Sequence, residues 1–155
     1  MFEKIMELFS SVSSEPEAEA AHFDATDPRL SVAALLTHVM VVDGFIDPVE
    51  RETLTKILKA EYDLEASEMD TLINEAMAAD KASVDFYNFT SLIKRQLDRD
   101  DLLNIVDMLW QIVLADGVLH EIEDSVVWRV AELLGVETRE RIRLRQKVEA
   151  KLAAQ

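Results

Sequence analysis

Two segments of the chain are apolar on nearly every side of a helix. They cover residues 30–42 and 102–115 and contain the runs LLTHVMVV and MLWQIVLA. Because a helix of this kind has no face suited to water, other helices must surround it. Both segments are shorter than the roughly 18 apolar residues that cross a bilayer, and both carry polar interruptions. We therefore predict a water-soluble bundle in which further amphipathic helices pack around two central ones.

The rest of the composition agrees with an all-α fold. A chain of 155 residues is long enough for one compact domain, and three glycines and three prolines leave little turn material for an all-β fold. Helical periodicity divides the chain into about seven helices, the first opening at Asp27-Pro28 and the last near Thr138. We predict a single bundle of about seven helices over residues 27–155.

Capping residues predict where several of these helices begin and end. Asp47 followed by Pro48 is typical of a helix start, and Glu50 at the third helical position would complete a capping box. The acidic run 98–101 predicts a turn before a helix over 102–115. Three glycines are predicted to end helices: Gly44, Gly117 and Gly135.

Two short regions precede the predicted bundle. Residues 1–12 place Phe2, Ile5, Met6 and Phe9 at helical spacing, so we predict an amphipathic helix there. Residues 13–26 are small, acidic and proline-containing, which predicts a flexible tether. The amphipathic segment is a candidate contact with a protein groove, with its own domain or with a membrane; its scarcity of basic residues disfavours anionic lipid.

An acidic loop occurs twice, 73 residues apart. DGFIDPVE spans 43–50 and DGVLHEIE spans 116–123, each after one of the apolar segments. In both copies apolar residues follow the final Glu at plus four and plus seven. The match of loop and flanking helices predicts an internal repeat of two helix-loop-helix units related by a pseudo-twofold axis.

The net charge of −15 is unevenly distributed. Residues 137–151 hold six bases and three acids, which leaves −18 for the remainder. An acidic body repels phosphate backbones, so we expect no nucleic-acid partner, and it favours cations and basic protein surfaces. The absence of cysteine excludes disulfides, thiolate metal sites and a cysteine nucleophile, and is compatible with the cytoplasm.

The loop acids are candidate ligands of a divalent cation. Carboxylates suit calcium, magnesium or manganese, and His120 would add affinity for zinc. One loop alone is a poor cage, because its acids stand at relative positions one, five and eight, unlike an EF-hand. Helix capping is the competing explanation for most of them, but not for Asp43 and Asp116, which follow the two apolar helices. An acid there interacts unfavourably with the helix dipole, which suggests a compensating partner: a metal, a basic residue such as Arg51 or Arg129, or the N–H groups of the loop. The candidate ligands are Asp43, Asp47, Glu50, Asp116 and Glu123.

The repeated pattern, with LADGVLHEIE and the later ELLGV, resembles the TerB family of tellurite-resistance proteins and the related N-terminal domain of a membrane-anchored DnaJ-type co-chaperone. The resemblance covers roughly residues 27–151. It implies a bundle of about seven helices in bacterial stress-response or membrane-associated assemblies, with divalent-metal binding through acidic residues. The matching positions are Asp43, Gly44, Glu50, Asp116, Gly117 and Glu123. The second loop departs from the first, with His120 in the place of Asp47.

A non-enzymatic binding or adaptor role follows from these observations. The histidines lack the context of a zinc protease or hydrolase motif, and His38, inside an apolar helix, is expected to be a hydrogen-bonded structural residue. Trp110 and Trp128 are expected in the core, whereas Tyr87 is expected at the surface. The alternatives are a protein-interaction domain without metal and, less favoured, a hydrolase using the acidic cluster. We expect a protein partner and a cytoplasmic location, including peripheral contact with the inner membrane; oligomeric state stays open.

Overall fold

Seven helices and no strand make up the described part of the chain. The structure, a computed structural model, describes residues 23–41, 47–82, 87–117 and 119–154. The predicted segment 1–12 and most of the tether lie outside these residues. The all-α bundle is confirmed. In chain order the helices are α1 (Pro28–Val41), α2 (Pro48–Tyr62), α3 (Ala66–Ala82), α4 (Tyr87–Gln96), α5 (Arg99–Val113), α6 (Glu121–Leu134) and α7 (Thr138–Ala153).

Helix α1 forms the centre of the bundle. It packs against α2, α3, α4, α5 and α6, and apart from His38 its residues from Leu30 to Met40 are buried. This all-round burial confirms what the apolar run predicts. His38 contacts Asp80 of α3 at 2.7 Å from Nδ1 to Oδ1, so it is the expected hydrogen-bonded structural residue.

Helix α5 is the second central element. It contacts α1, α2, α6 and α7, and buries most of its length from Ile105 onward. It begins at Arg99, earlier than predicted, because Asp98 and Asp101 form a reciprocal capping box that draws the acidic run into the first turn. No helix in these described ranges is long and apolar enough to cross a membrane.

The predicted helix-ending glycines differ in what they do. Gly135 follows α6 in the left-handed conformation (φ +81°), as expected. Gly117 has the same φ, but α5 already ends at Val113. The Gly117 N–H donates to the Leu114 carbonyl at 2.9 Å, so this glycine closes a turn after the helix instead of ending it. Gly44 lies outside the described residues.

The two tryptophans occupy opposite environments. Trp110 of α5 is buried, and its Nε1 donates to the Arg141 carbonyl at 3.1 Å. Trp128 of α6 is 47% exposed, so its predicted core position is wrong. It follows Val127 in sequence and so projects to one side of the buried stripe, where the Arg141 guanidinium lies 5.9 Å from its ring centre. Tyr87 is exposed, as expected.

Candidate functional site

Glu50 lies on the inner face of α2 because of its spacing from the core residues of that helix. Leu54 and Ile57, four and seven residues later, are buried, and positions so related share one face of a helix. The same holds in α6, where Val127 and Val130 follow Glu123 at the same spacing. Packing of these faces therefore carries one glutamate from each loop into the protein.

The two glutamates meet inside the bundle. Glu50 is 3% exposed and Glu123 is 2% exposed, and their side chains are joined by a hydrogen bond. An ionised carboxylate has no proton to donate, so a hydrogen bond between two carboxyl groups requires a proton on one of them. The structure therefore places a proton-sharing carboxyl pair between the two loops.

The surroundings of Glu50 favour its protonated form. Burial, above all, and then the hydrogen bond with Glu123 and the negative charges of Glu123, Asp47 and Asp116 raise the pKa of Glu50 to about 9. Desolvation and nearby like charges both penalise the ionised carboxylate. The pair therefore retains a proton at neutral pH unless a cation replaces it.

The flanking acids have local hydrogen-bond partners. Asp47 is the N-cap of α2, and its Oδ1 accepts from the Val49 N–H at 2.8 Å. Asp116 contacts His120, with 3.4 Å between Oδ2 and Nε2. His120 occupies the N-cap position of α6 but makes no side-chain capping hydrogen bond. The unfavourable interaction expected between Asp116 and a helix dipole is reduced, since α5 ends three residues earlier.

The structure thus unites part of the predicted ligand set. Glu50 and Glu123 are in contact, Asp47 and Asp116 are close enough to act on Glu50 electrostatically, and Asp43 lies outside the described residues. The oxygen donors suit a hard divalent cation. However, no group of three or more such side chains in the described ranges is already arranged to hold a metal ion. The described site is a carboxyl pair with two acids nearby, not a complete coordination cage.

Sequence reasoning assigned the wrong partner to Glu50. It predicted a capping box, whereas the Glu50 carboxyl turns inward to Glu123 and Asp47 alone supplies the side-chain cap of α2. A signal for this was present: each loop glutamate continues the buried stripe of its helix, at four and seven residues before core positions. An acid on a buried stripe is expected to face the interior rather than the start of its own helix.

Two apolar side chains at the starts of α2 and α6 were not singled out from the sequence. Val49 is 46% exposed and Ile122 is 55% exposed, and they occupy equivalent positions 73 residues apart, each next to a buried glutamate. Exposed apolar residues scattered singly are ordinary, but matched ones beside a buried polar pair are candidate contact residues.

Comparison with known proteins identifies the family of the chain. No curated protein and no solved structure gives a significant match. The sequence model of the family described as "Tellurite resistance protein TerB" matches residues 29–146, from the first turn of α1 into α7. Both paired glutamates lie in this range. Since the match covers most of the chain, and the structure has the expected helical bundle, the protein belongs to the TerB family.

Proposed function

We propose that this tellurite-resistance-associated domain is a non-enzymatic binding module in which Glu50 and Glu123 bind a divalent cation. The observation that supports the proposal is the hydrogen-bonded pair of buried carboxyl groups, one from each acidic loop. Buried carboxylates are stable when they keep a proton or face a cation. A divalent ion between them would neutralise both groups at once.

The charges around the pair support a cation as the ligand. Asp47 and Asp116 add negative potential at Glu50, and the chain as a whole carries −15. Oxygen donors favour calcium, magnesium or manganese, while His120, in contact with Asp116, would add a nitrogen ligand suited to zinc. Glu50 and Glu123 would be the direct ligands.

The remaining ligands must come from the loops or from water. If Asp47 bound the ion directly it would give up its hydrogen bond from Val49, at a cost of about 1 kcal/mol for the lost cap. A bridging water would leave that cap intact, because water-mediated contacts are nearly as favourable as direct ones. We therefore propose that Asp47 and Asp116 contribute through water, with Asp43 as a further ligand.

The second candidate function is a protein-interaction domain without metal. The raised pKa of Glu50 supports it, because a pair that keeps its proton needs no cation. In that case the carboxyl pair links the start of α2 to the start of α6, and the exposed Val49 and Ile122 provide contact residues for a protein partner.

Titration calorimetry and thermal melting with calcium, magnesium, manganese and zinc distinguish the two candidates. We expect heat of binding and a raised Tm with at least one ion, and loss of both in Glu50→Gln and in Glu123→Gln. Glu52→Gln is the matched control, since Glu52 is exposed on the same helix as Glu50 and should bind the ion like the wild type.

Two results would contradict the metal site. One is the absence of heat and of a Tm shift with every ion at millimolar concentration. The other is binding that survives in both Gln variants, which would place the ion elsewhere. If folded protein shows neither heat nor a Tm shift, the protein-interaction domain without metal is the candidate function that is left.

A further inference from the structure

On the face formed by α6 and α7, it is α7 that differs from the rest of the protein in charge, since the first turn of α6 is acidic. Helix α7 exposes four bases to solvent, whereas the chain outside residues 137–151 carries −18. An acidic ligand is therefore repelled by most of the surface and attracted to this helix. The exposed bases of α7 are Arg139, Arg143, Lys147 and Lys151.

The same pair of helices exposes large apolar side chains. Trp128 of α6 is 47% exposed and Ile142 of α7 is 40% exposed, and the two helices pack against each other. The Arg141 guanidinium lies over the Trp128 ring at 5.9 Å, so a positive charge accompanies the exposed indole. An aromatic ring with an arginine beside it is typical of interaction surfaces. These features suit a ligand that is both apolar and acidic.

The chain itself contains a segment of that chemistry. Residues 1–12 place Phe2, Ile5, Met6 and Phe9 at helical spacing, and residues 1–22 hold five acids against one lysine. Residues 1–12 hold Glu3 and Glu7 against Lys4, and residues 13–22 hold the other three acids. The whole segment 1–22, which has an apolar helical face near its start and a net negative charge, matches the exposed apolar side chains and the bases of the α6–α7 face. It is mismatched to the acidic remainder of the domain.

The attachment point allows the segment to reach that face. Phe23 is buried, and its N–H donates to Oε2 of Glu75 in α3 at 3.0 Å, so the chain is held to the domain there. The ten residues 13–22 can span at most about 35 Å. A domain of this size has a radius of gyration of about 14 Å, so the span is comparable with its breadth.

We propose that the apolar face of residues 1–12 docks on the α6–α7 face of the same chain, against Trp128 and Ile142, with the acids of residues 1–22 beside the bases of α7. Docking covers the exposed indole and keeps the apolar face of the segment out of water.

Paramagnetic relaxation measured by NMR in the full chain tests this arrangement. Since the protein has no cysteine, Ser10→Cys gives a single site for a nitroxide label next to the apolar residues. The indole N–H of Trp128, assigned with Trp128→Phe, is the reporter. We expect its signal to be lost in the labelled protein and to return when the nitroxide is reduced.

Matched variants separate docking from chance proximity. The signal should also return in labelled protein that carries Ile5→Asp and Phe9→Asp, and in labelled Ile142→Ser, because both remove the apolar contact. Tyr87→Ser, at an exposed aromatic residue on α4, is the control and should leave the broadening unchanged.

Mixing isotope-labelled protein without nitroxide and unlabelled protein with nitroxide identifies the molecule that is contacted. Docking within one chain predicts no broadening in this mixture, whereas broadening there shows that the segment binds a second copy and overturns the proposal. An unaffected Trp128 signal in the singly labelled protein overturns it as well. So does broadening that persists in the Ile5→Asp, Phe9→Asp protein.

Discussion

Asp47 and His120 occupy equivalent places in the two acidic loops but interact differently. Asp47 caps α2 by accepting from the Val49 N–H, whereas His120 makes no side-chain cap to α6 and contacts Asp116. Seven residues later in each helix the difference disappears, because Leu54 and Val127 are both fully buried. The two loops differ at this position, while the inward faces of the helices have the same pattern of buried residues.

The shared pattern of burial includes one glutamate in each helix. Glu50 and Glu123 are as buried as the aliphatic residues that follow them, and they contact each other. Helix packing thus constrains this position in both units even though burial of a carboxyl group is costly. The two glutamates thus belong to the interior of the bundle, whereas Asp47 and Asp116 belong to the loops before the helices.

The largest expected effect comes from core truncation in the two units. Leu54→Ala should lower the free energy of unfolding by about 2–5 kcal/mol, because it removes a fully buried side chain and leaves a cavity. Val127→Ala removes fewer buried atoms and should cost less. Urea unfolding of both variants checks the order. If both variants lost little unfolding free energy, the result would contradict the burial of these two positions on the inner faces of α2 and α6.

Replacement of a buried glutamate is expected to stabilise the protein. An acid whose pKa folding raises contributes stability that is full below its ordinary pKa of 4.5 and is lost as pH rises through about 9. Glu50→Gln cannot lose a proton, so at pH 7 it should gain at most about 3 kcal/mol over the wild type.

Urea unfolding between pH 4 and pH 9 measures that gain. Wild-type stability should fall across this range more steeply than that of Glu50→Gln, while Glu52→Gln should follow the wild type. Parallel curves for wild type and Glu50→Gln would show that Glu50 ionises normally.

The smallest expected effects on stability come from the residues at the two N-cap positions, Asp47 and His120. Asp47→Ala should cost about 1 kcal/mol, since it removes the hydrogen bond to the Val49 N–H. His120→Ala removes no cap, only an exposed contact with Asp116, and should change stability by less than about 0.5 kcal/mol. Thermal melting of the two variants measures both changes. A larger loss of stability for His120→Ala than for Asp47→Ala would contradict the assignment of the cap to Asp47 alone.

Much of the fold follows from periodicity and capping residues. The direction in which a side chain beside the buried stripe faces does not. The run of α1, apolar on nearly every side, predicts its central position, and Asp27 and Asp47 predict two helix starts. Trp128 was misplaced because neighbouring positions on a helix differ by only about 100°, so an aromatic beside a buried stripe can face solvent. Gly117 was misplaced because a left-handed glycine closes turns as well as helices.

The candidate site was predictable in its residues but not in its pairing. Composition and repetition single out Glu50 and Glu123, and local capping rules explain them without any contact between distant helices. Their meeting depends on how α2 and α6 pack around α1, which sequence spacing along either helix does not determine. The sequence did place both glutamates on the apolar stripe of their helices. At Glu50 the inward orientation on that stripe is observed in place of the capping box.

The carboxyl ¹³C chemical shift of Glu50, followed by NMR from pH 3 to pH 10 and assigned with Glu50→Gln, tests the buried pair most directly. The structure predicts that this carboxyl titrates near 9, well above the ordinary glutamate value of 4.5. A Glu50 carboxyl that ionises near 4.5, in folded metal-free protein, would contradict the buried, proton-sharing pair.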